Sequence, residues 1–333
     1  MCGRFASARK RQELLEEFGV QRDRVTEPLR PDYNVAPTKP VYAVVTRAPK
    51  DGADEQAAEP ARSGAGHAGG HEAGAGATEQ RGAAEQRDAP EPSTPEQNAA
   101  PEPSTPDPSA IEPSAIEHGG VRELRVVRWG LVPFWAKDIS IGSRLINARA
   151  ETVATKPAFR RAFARHRCLL PADGFYEWEK SGDSKKSAKQ PYYIRREDGG
   201  VLAFAGLYEL WRDKDRPDDD PDSWLWTATI ITTRAEDEVG RIHDRMPMVI
   251  EPDRWADWLD PTATSAEALH GLMTPAASVH LTTYPVSTEV NSVRHNGPGL
   301  IEPMEGDSEP AGSPRAGAGG RSGASRGAPS TLF

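Results

Sequence analysis

Sixty-nine consecutive residues, Lys50 to His118, offer a folded core almost nothing to bury. The stretch is rich in Ala, Gly, Pro and Glu and repeats itself. EPSTP at Glu91–Pro95 returns at Glu102–Pro106, and PSAIE at Pro108–Glu112 returns at Pro113–Glu117. Ordering such a segment costs chain entropy that no burial offsets, so it is expected to stay disordered. The end of the chain, from about Glu305 onward (SEPAGSPRAGAGGRSGASRG), has the same character. Two blocks remain, Cys2–Pro49 and Gly119–Pro303. Strand-like segments flank the gap, Val41–Thr46 and Leu124–Arg128, which makes the insert an excursion between neighbouring strands. Lengthening a flexible loop costs little, because closure entropy grows only slowly with length. The expected organisation is one folded domain over residues 2–303, interrupted at 50–118, with a disordered tail at 304–333.

A net charge of -9 argues at first sight against a nucleic-acid partner. Its distribution reverses that reading. Lys50–His118 holds fourteen acidic and four basic residues, and Arg212–Asp222 holds six Asp against three basic residues. Outside both stretches the chain is near +4, and Arg4, Arg9, Lys10, Arg11, Arg22, Arg24 and Arg30 crowd the first 30 residues. The folded part can therefore turn a basic surface toward phosphate. Only two cysteines occur, Cys2 and Cys168, with no CxxC spacing and no paired His ligands. Neither a disulfide scaffold nor a structural zinc is expected, and a reducing compartment is. No apolar run approaches the roughly 18 residues of a membrane span, and no apolar region precedes Cys2 as a signal segment would require. The expectation is a cytoplasmic protein with no metal, no other cofactor and no membrane partner.

Hydrophobic periodicity predicts a helix over Ala8–Phe18 and strands at Tyr192–Arg196, Val201–Tyr208, Leu225–Thr232, Met248–Glu251 and Val279–Thr283. Further helices are expected at Pro157–Ala164, Pro252–Leu259 and Ser265–Met273. Strands and helices do not alternate regularly, so an α+β fold fits better than a doubly wound parallel sheet. The chain has no GxGxxG, GxxxxGK[ST] or GxSxG, which removes the common nucleotide-binding and serine-hydrolase classes.

Cys2 follows the initiator Met, and a small second residue normally lets an aminopeptidase remove Met1. The product carries a thiol and a free α-amine on one residue. That amine has a usual pKa of about 8, so a useful fraction is neutral at pH 7. It can form a Schiff base with an aldehyde, after which the thiol can close a five-membered thiazolidine. Position alone does not establish this chemistry, since a cysteine can stand second by accident.

Six segments carry more weight. They are Met1-Cys2-Gly3-Arg4-Phe5, Asp32-Tyr33-Asn34-Val35-Ala36-Pro37-Thr38, Trp129-Gly130-Leu131-Val132-Pro133-Phe134-Trp135, Asn147-Ala148-Arg149-Ala150-Glu151-Thr152, Cys168 through Trp178 (CLLPADGFYEW), and Ile242-His243-Asp244-Arg245-Met246-Pro247. In this order they closely resemble the SOS response-associated peptidase family. The resemblance covers both ordered blocks, to about Glu302, and excludes the insert and the tail. It implies a single α+β domain, an antiparallel pseudo-barrel with flanking helices and a cleft for single-stranded DNA containing abasic sites. It also implies a stable thiazolidine between the mature amino-terminal Cys and the ring-opened abasic sugar, which shields the lesion during the DNA damage response. By motif, Cys2 becomes the nucleophile, Asn147 positions the amino terminus, and Glu177 and His243 handle protons. Arg4, Asn34, Pro37, Arg149, Thr232 and Arg245 fall where phosphate or sugar is expected. A monomer is expected, with the replication machinery as a further candidate partner and a nucleoid-associated location.

The residues support this without the family. An abasic sugar is mostly a closed hemiacetal, and imidazole is the side chain best poised near pH 7 to assist its opening. His243 beside Asp244 and Arg245 suits that task, although a lone His is more often structural. Glu177 lies between Tyr176 and Trp178 in an apolar strand context, where desolvation raises a carboxylate's pKa. Its ordinary alternative is a half-exposed partner for a neighbouring Arg. Asn147 could orient the amine through its side-chain carbonyl, or cap a turn. Phe134, Trp135 and Trp178 could stack on bases, worth roughly 1–3 kcal/mol each, with Phe134 and Trp135 the better wedge and Trp129 buried. Cys168 reads as a small core hydrophobe. Two other functions remain open: a peptidase with an amino-terminal nucleophile, which would include self-removal of Met1, and a non-catalytic reader of modified DNA.

Overall fold

The computed structural model describes residues 2–47, 120–179, 189–217, 219–220, 223–235, 237–273 and 280–304. The expected disorder at 50–118 and in the tail falls outside these residues.

Long β-rich segments dominate, because Val, Ile, Leu and aromatic residues recur with the period of two that lets a pleated strand bury one face. In chain order the strands are β1 (Phe5–Ser7), β2 (Arg22–Asp23), β3 (Asp32–Val35), β4 (Pro40–Arg47), β5 (Val121–Trp129), β6 (Asn147–Arg149) and β7 (Arg167–Ala172). They continue with β8 (Gly174–Trp178), β9 (Pro191–Arg196), β10 (Leu202–Arg212), β11 (Trp224–Arg234), β12 (Arg245–Pro247) and β13 (Leu281–Pro285). The helices are short: α1 (Arg11–Glu17), α2 (Arg160–Arg165), α3 (Asp237–Ile242), α4 (Trp255–Leu259) and α5 (Ala266–Leu272).

Five strands close on themselves. β11 pairs antiparallel with β10, β10 with β7, β7 with β4 and β4 with β5. β5 then returns to β11 in parallel through Thr227↔Arg128 and Ala228↔Trp129. Closure removes the exposed edges that an open sheet would leave. A second, antiparallel sheet runs β13-β9-β8-β1-β3. The α+β class and the barrel with few flanking helices are therefore as expected. β4 and β5 pair along their length, with Arg47 opposite Val121.

The pleat sorts the barrel strands into two cores. Val41, Ala43 and Val45 of β4, Val127 and Trp129 of β5, Cys168 and Leu170 of β7, Phe204 of β10 and Ala228 and Ile230 of β11 share one cluster with Phe5 and Phe175 of the second sheet. Alternate residues on the same strands, such as Val44, Leu124, Leu169, Ala205 and Ile231, pack in a second cluster with Phe163, Trp255 and Trp258 of the helices. Phe18 stacks on Trp255 with ring centroids 4.4 Å apart. Cys168 is buried in the first core, as its neighbours suggested.

Two local features differ from expectation. The strand anticipated over Met248–Glu251 lies upstream, at Arg245–Pro247, where it pairs with Thr232–Arg234. Met248 and Ile250 still bond to the sheet through Met248 N–H to Ile231 O and Ile250 N–H to Ala203 O, but only Val249 forms a bridge, to Phe204. Helices are trimmed at their ends, and the first turn of Pro252–Leu259 is a 3-10 turn, Pro252–Arg254. Gly130 sits at φ 125°, and a Cβ there would approach Gly142 O to 2.6 Å. The turn out of β5 needs glycine on both counts.

Candidate functional site

Cys2 is fully buried against the barrel core, just before β1. Its position is set by two neighbouring strands. β1 pairs with β8 through Phe5↔Phe175, and Tyr176 N–H donates to Arg4 O at 3.0 Å. This register runs Glu177 alongside the residues just before Arg4. On β8, Phe175 and Glu177 share the face that meets the core, while Tyr176 and Trp178 turn to the other side. The alternation explains why a carboxylate here is only 2% exposed.

The second support comes from β6. It lies parallel to the end of β11, Ile230 facing Asn147 and Thr232 facing Arg149. Asn147 and Arg149 share one face, and Ala148 fills the core on the other. The Asn147 amide donates from Nδ2 to the Cys2 carbonyl at 2.7 Å. Its contact is thus made through the amide nitrogen and to the carbonyl of Cys2, not through the side-chain oxygen that sequence suggested. Asn147 Oδ1 is buried and has no hydrogen-bond partner among the described residues. Arg149 is exposed, with no side-chain hydrogen bond or ion pair among the described residues.

The electrostatics of the cluster follow from burial. Burial, helped by the Glu177 carboxylate, pushes the Cys2 thiol far up, so it is protonated at neutral pH. Burial also pushes Glu177 up to about 7; the amino-terminal charge pulls it down and Asp244 pushes it up. A carboxyl near 7 can both give and take a proton under physiological conditions.

His243 caps the end of α3, its N–H bonded to Val239 O at 2.9 Å. Its ring is held from within its own turn. Arg245 N–H donates to His243 Nδ1 at 3.0 Å, and Asp244 Oδ1 lies 3.1 Å from the same nitrogen. Nδ1 also lies 3.2 Å from Arg245 O, so it accepts or donates here according to the protonation of the ring.

The remaining expected residues divide by accessibility. Arg4 donates from Nη1 to Asn34 Oδ1 at 2.6 Å and to Val290 O at 2.8 Å, and its guanidinium stands 5.8 Å from the Trp178 ring centroid. Asn34 is fully buried, and its Nδ2 donates to the carbonyls of Val290, Ser292 and His295. Its side chain ties Arg4 to residues 290–295. Arg245 is 9% exposed and grips both Glu151 oxygens, at 2.5 and 3.1 Å, as well as the Thr232 carbonyl. Thr232 is buried, and Pro37 is half-buried. Phe134 and Trp135 are each 51% exposed, with the Arg161 guanidinium stacked 4.3 Å over the Phe134 ring centroid. Trp178 donates from Nε1 to Asn291 Oδ1 at 2.6 Å. Trp129 is buried and donates to Ile146 O.

The sequence named Asp244 only as a neighbour of His243, and gave no sign of Glu151, Arg161 or Asn291 as part of this neighbourhood. Glu151 and Asp244 stand inside motifs already singled out. The partner of Glu151, Arg245, becomes visible only when β6, β11 and β12 lie side by side. Among the described residues no group of three His, Cys, Asp or Glu side chains converges as a metal site, and no helix is long and apolar enough to cross a membrane.

Comparison with known proteins follows the same residues. The sequence model of the family described as SOS response associated peptidase matches residues 1–293. Over 184 residues the chain is 43% identical to the abasic site processing protein YoqW of Bacillus subtilis (strain 168), covering 55% of this chain and 78% of that one. It is 31% identical over 179 residues to the abasic site processing protein YedK of Escherichia coli (strain K12), covering 54% and 74% respectively. A solved protein from Bordetella bronchiseptica superposes with TM-score 0.51 at 20% identity, over 86% of this chain and all of that one, which bears on the fold alone.

Proposed function

As a member of the SOS response-associated peptidase family, the chain, we propose, captures abasic sites in single-stranded DNA as a thiazolidine on Cys2 of the protein lacking Met1. The observation that carries this reading is the anchoring of Cys2. Asn147 holds its carbonyl at 2.7 Å, and a buried carboxyl titrating near 7 lies beside it. Fixing the reacting group in advance removes entropy from the barrier.

The proposed sequence balances as follows. His243 donates a proton to the sugar ring oxygen as the C1–O bond breaks, and the proton shed by the anomeric hydroxyl passes through water back to His243 as the aldehyde forms. The neutral Cys2 amine adds to the aldehyde carbon, and Glu177 relays the amine proton to the carbinolamine hydroxyl, which leaves as water. The resulting imine carbon is then attacked by sulfur. Because burial keeps the Cys2 thiol protonated, the amine acts first, and the thiol gives up its proton to the imine nitrogen as the C–S bond forms. One water is lost overall. Exposed Arg149 is the phosphate contact, Arg4 supports it from the Asn34 anchor, and Phe134 and Trp135 are the wedge beside the lesion.

Intact-mass spectrometry of the protein with single-stranded DNA carrying one abasic site tests this. The expected adduct is protein without Met1 plus oligonucleotide minus one water, stable without reductant and absent in Cys2→Ser. An adduct that persists in Cys2→Ala, or full activity with Met1 retained, would overturn the assignment.

A further inference from the structure

His243 Nδ1 has two alternative sets of partners. In the neutral ring it accepts the Arg245 N–H at 3.0 Å. Once protonated it must donate instead, and the nearest acceptors are Asp244 Oδ1 at 3.1 Å and Arg245 O at 3.2 Å. The backbone N–H that suits the neutral ring opposes the charged one, so a carboxylate on this side favours imidazolium. Asp244 is 76% exposed at its side chain. Its charge also reaches Glu177, which it pushes up.

We propose that Asp244 is a positioning residue that holds His243 through Nδ1 as imidazolium during ring opening. The inference rests on the functional reading above and adds a residue that reading does not use. In the ring-opening step the Nε2 proton passes to the sugar oxygen. The proton left on Nδ1 is held by the Asp244 carboxylate, which stays ionised throughout. Charged and titratable groups beside this pair include Arg245 on β12, which holds Glu151 from the turn after β6, and Glu177 on β8, which the Asp244 charge reaches.

The sign of the coupling is the same for both carriers. Removing the Asp244 charge destabilises imidazolium, so His243 loses its proton at lower pH. It also relieves repulsion on Glu177, which then ionises at lower pH. Both limbs of a bell-shaped rate profile therefore move down together. For a partner this exposed, screening limits each shift to about 0.7 pH unit.

The test uses the full chain and its Asp244→Asn and Asp244→Glu variants. NMR titration of the His243 ring in free protein reads the coupling without DNA. Timed-quench crosslinking to an abasic oligonucleotide from pH 5 to 9 reads its use. Expected are a downward His243 midpoint in Asn, a downward translation of both limbs, and partial return of both in Glu. A lower rate at every pH with unmoved midpoints would mean a structural residue only, and would overturn the proposal. A shifted ring midpoint without any crosslink in wild type would refute the functional reading while leaving the coupling established.

Discussion

Replacing Glu177 by Gln separates what this carboxyl does for chemistry from what it costs the fold. The side chain is 2% exposed, and burial lifts it from its usual 4.5 to about 7. That rise corresponds to about 3 kcal/mol, at roughly 1.4 kcal/mol per pH unit. Below pH 4.5 both folded and unfolded chains carry the proton, and the contribution is fully present. Between 4.5 and 7 the unfolded chain ionises first while the folded one keeps its proton, so stability falls as pH rises. Above about 7 both are ionised and the contribution is gone. Gln cannot ionise and keeps the neutral shape. Glu177→Gln is therefore expected to match wild type at pH 4.5 and to exceed it by up to about 3 kcal/mol at pH 8. Urea unfolding at both pH values measures the difference. Crosslinking by the same variant should slow by about 10²–10⁴-fold, the usual range for a lost proton-transfer group. A stability difference independent of pH would refute the reasoning, because it would mean that the charge at 177 costs the fold nothing.

Arg149→Ala should weaken binding to single-stranded DNA of any sequence and flatten the log–log salt dependence by about 0.7, one phosphate contact; an unchanged slope from salt-titrated anisotropy would remove Arg149 from the interface. Asn34→Ala should destabilise the fold by about 2–4 kcal/mol in thermal or urea unfolding, since three backbone carbonyls and Arg4 lose their partner at a fully buried position; crosslinking per folded molecule should fall less than in Cys2→Ser. Deleting Ala53–Glu117 should leave folding and crosslinking intact, because β4 and β5 already pair up to Arg47 and Val121. Loss of the cooperative unfolding transition in that variant would show that the excised stretch supports the barrel.

The order of motifs, the mixed class and most strands were legible in the linear chain, as was Cys2 as the candidate nucleophile. Each depends on local chemistry: alternation of apolar residues makes a strand wherever it occurs, and only an amino-terminal cysteine offers an amine and a thiol together. The fate of the polar side chains was not legible. Asn34 and Arg149 read alike as candidate ligand contacts; Asn34 bonds the backbone of residues 290–295, and Arg149 is open to solvent. Arg245 reaches Glu151 across 94 residues of sequence. The bond exists because β11 has β6 on one side and β12 on the other beyond Ile230. Closure of the barrel likewise rests on a parallel pairing between β5 and β11, about a hundred residues apart. Periodicity names the buried face of a strand but not its neighbour. Which donor meets which acceptor, and how far a buried carboxyl such as Glu177 is shifted, are decided only when distant strands share a register and exclude water.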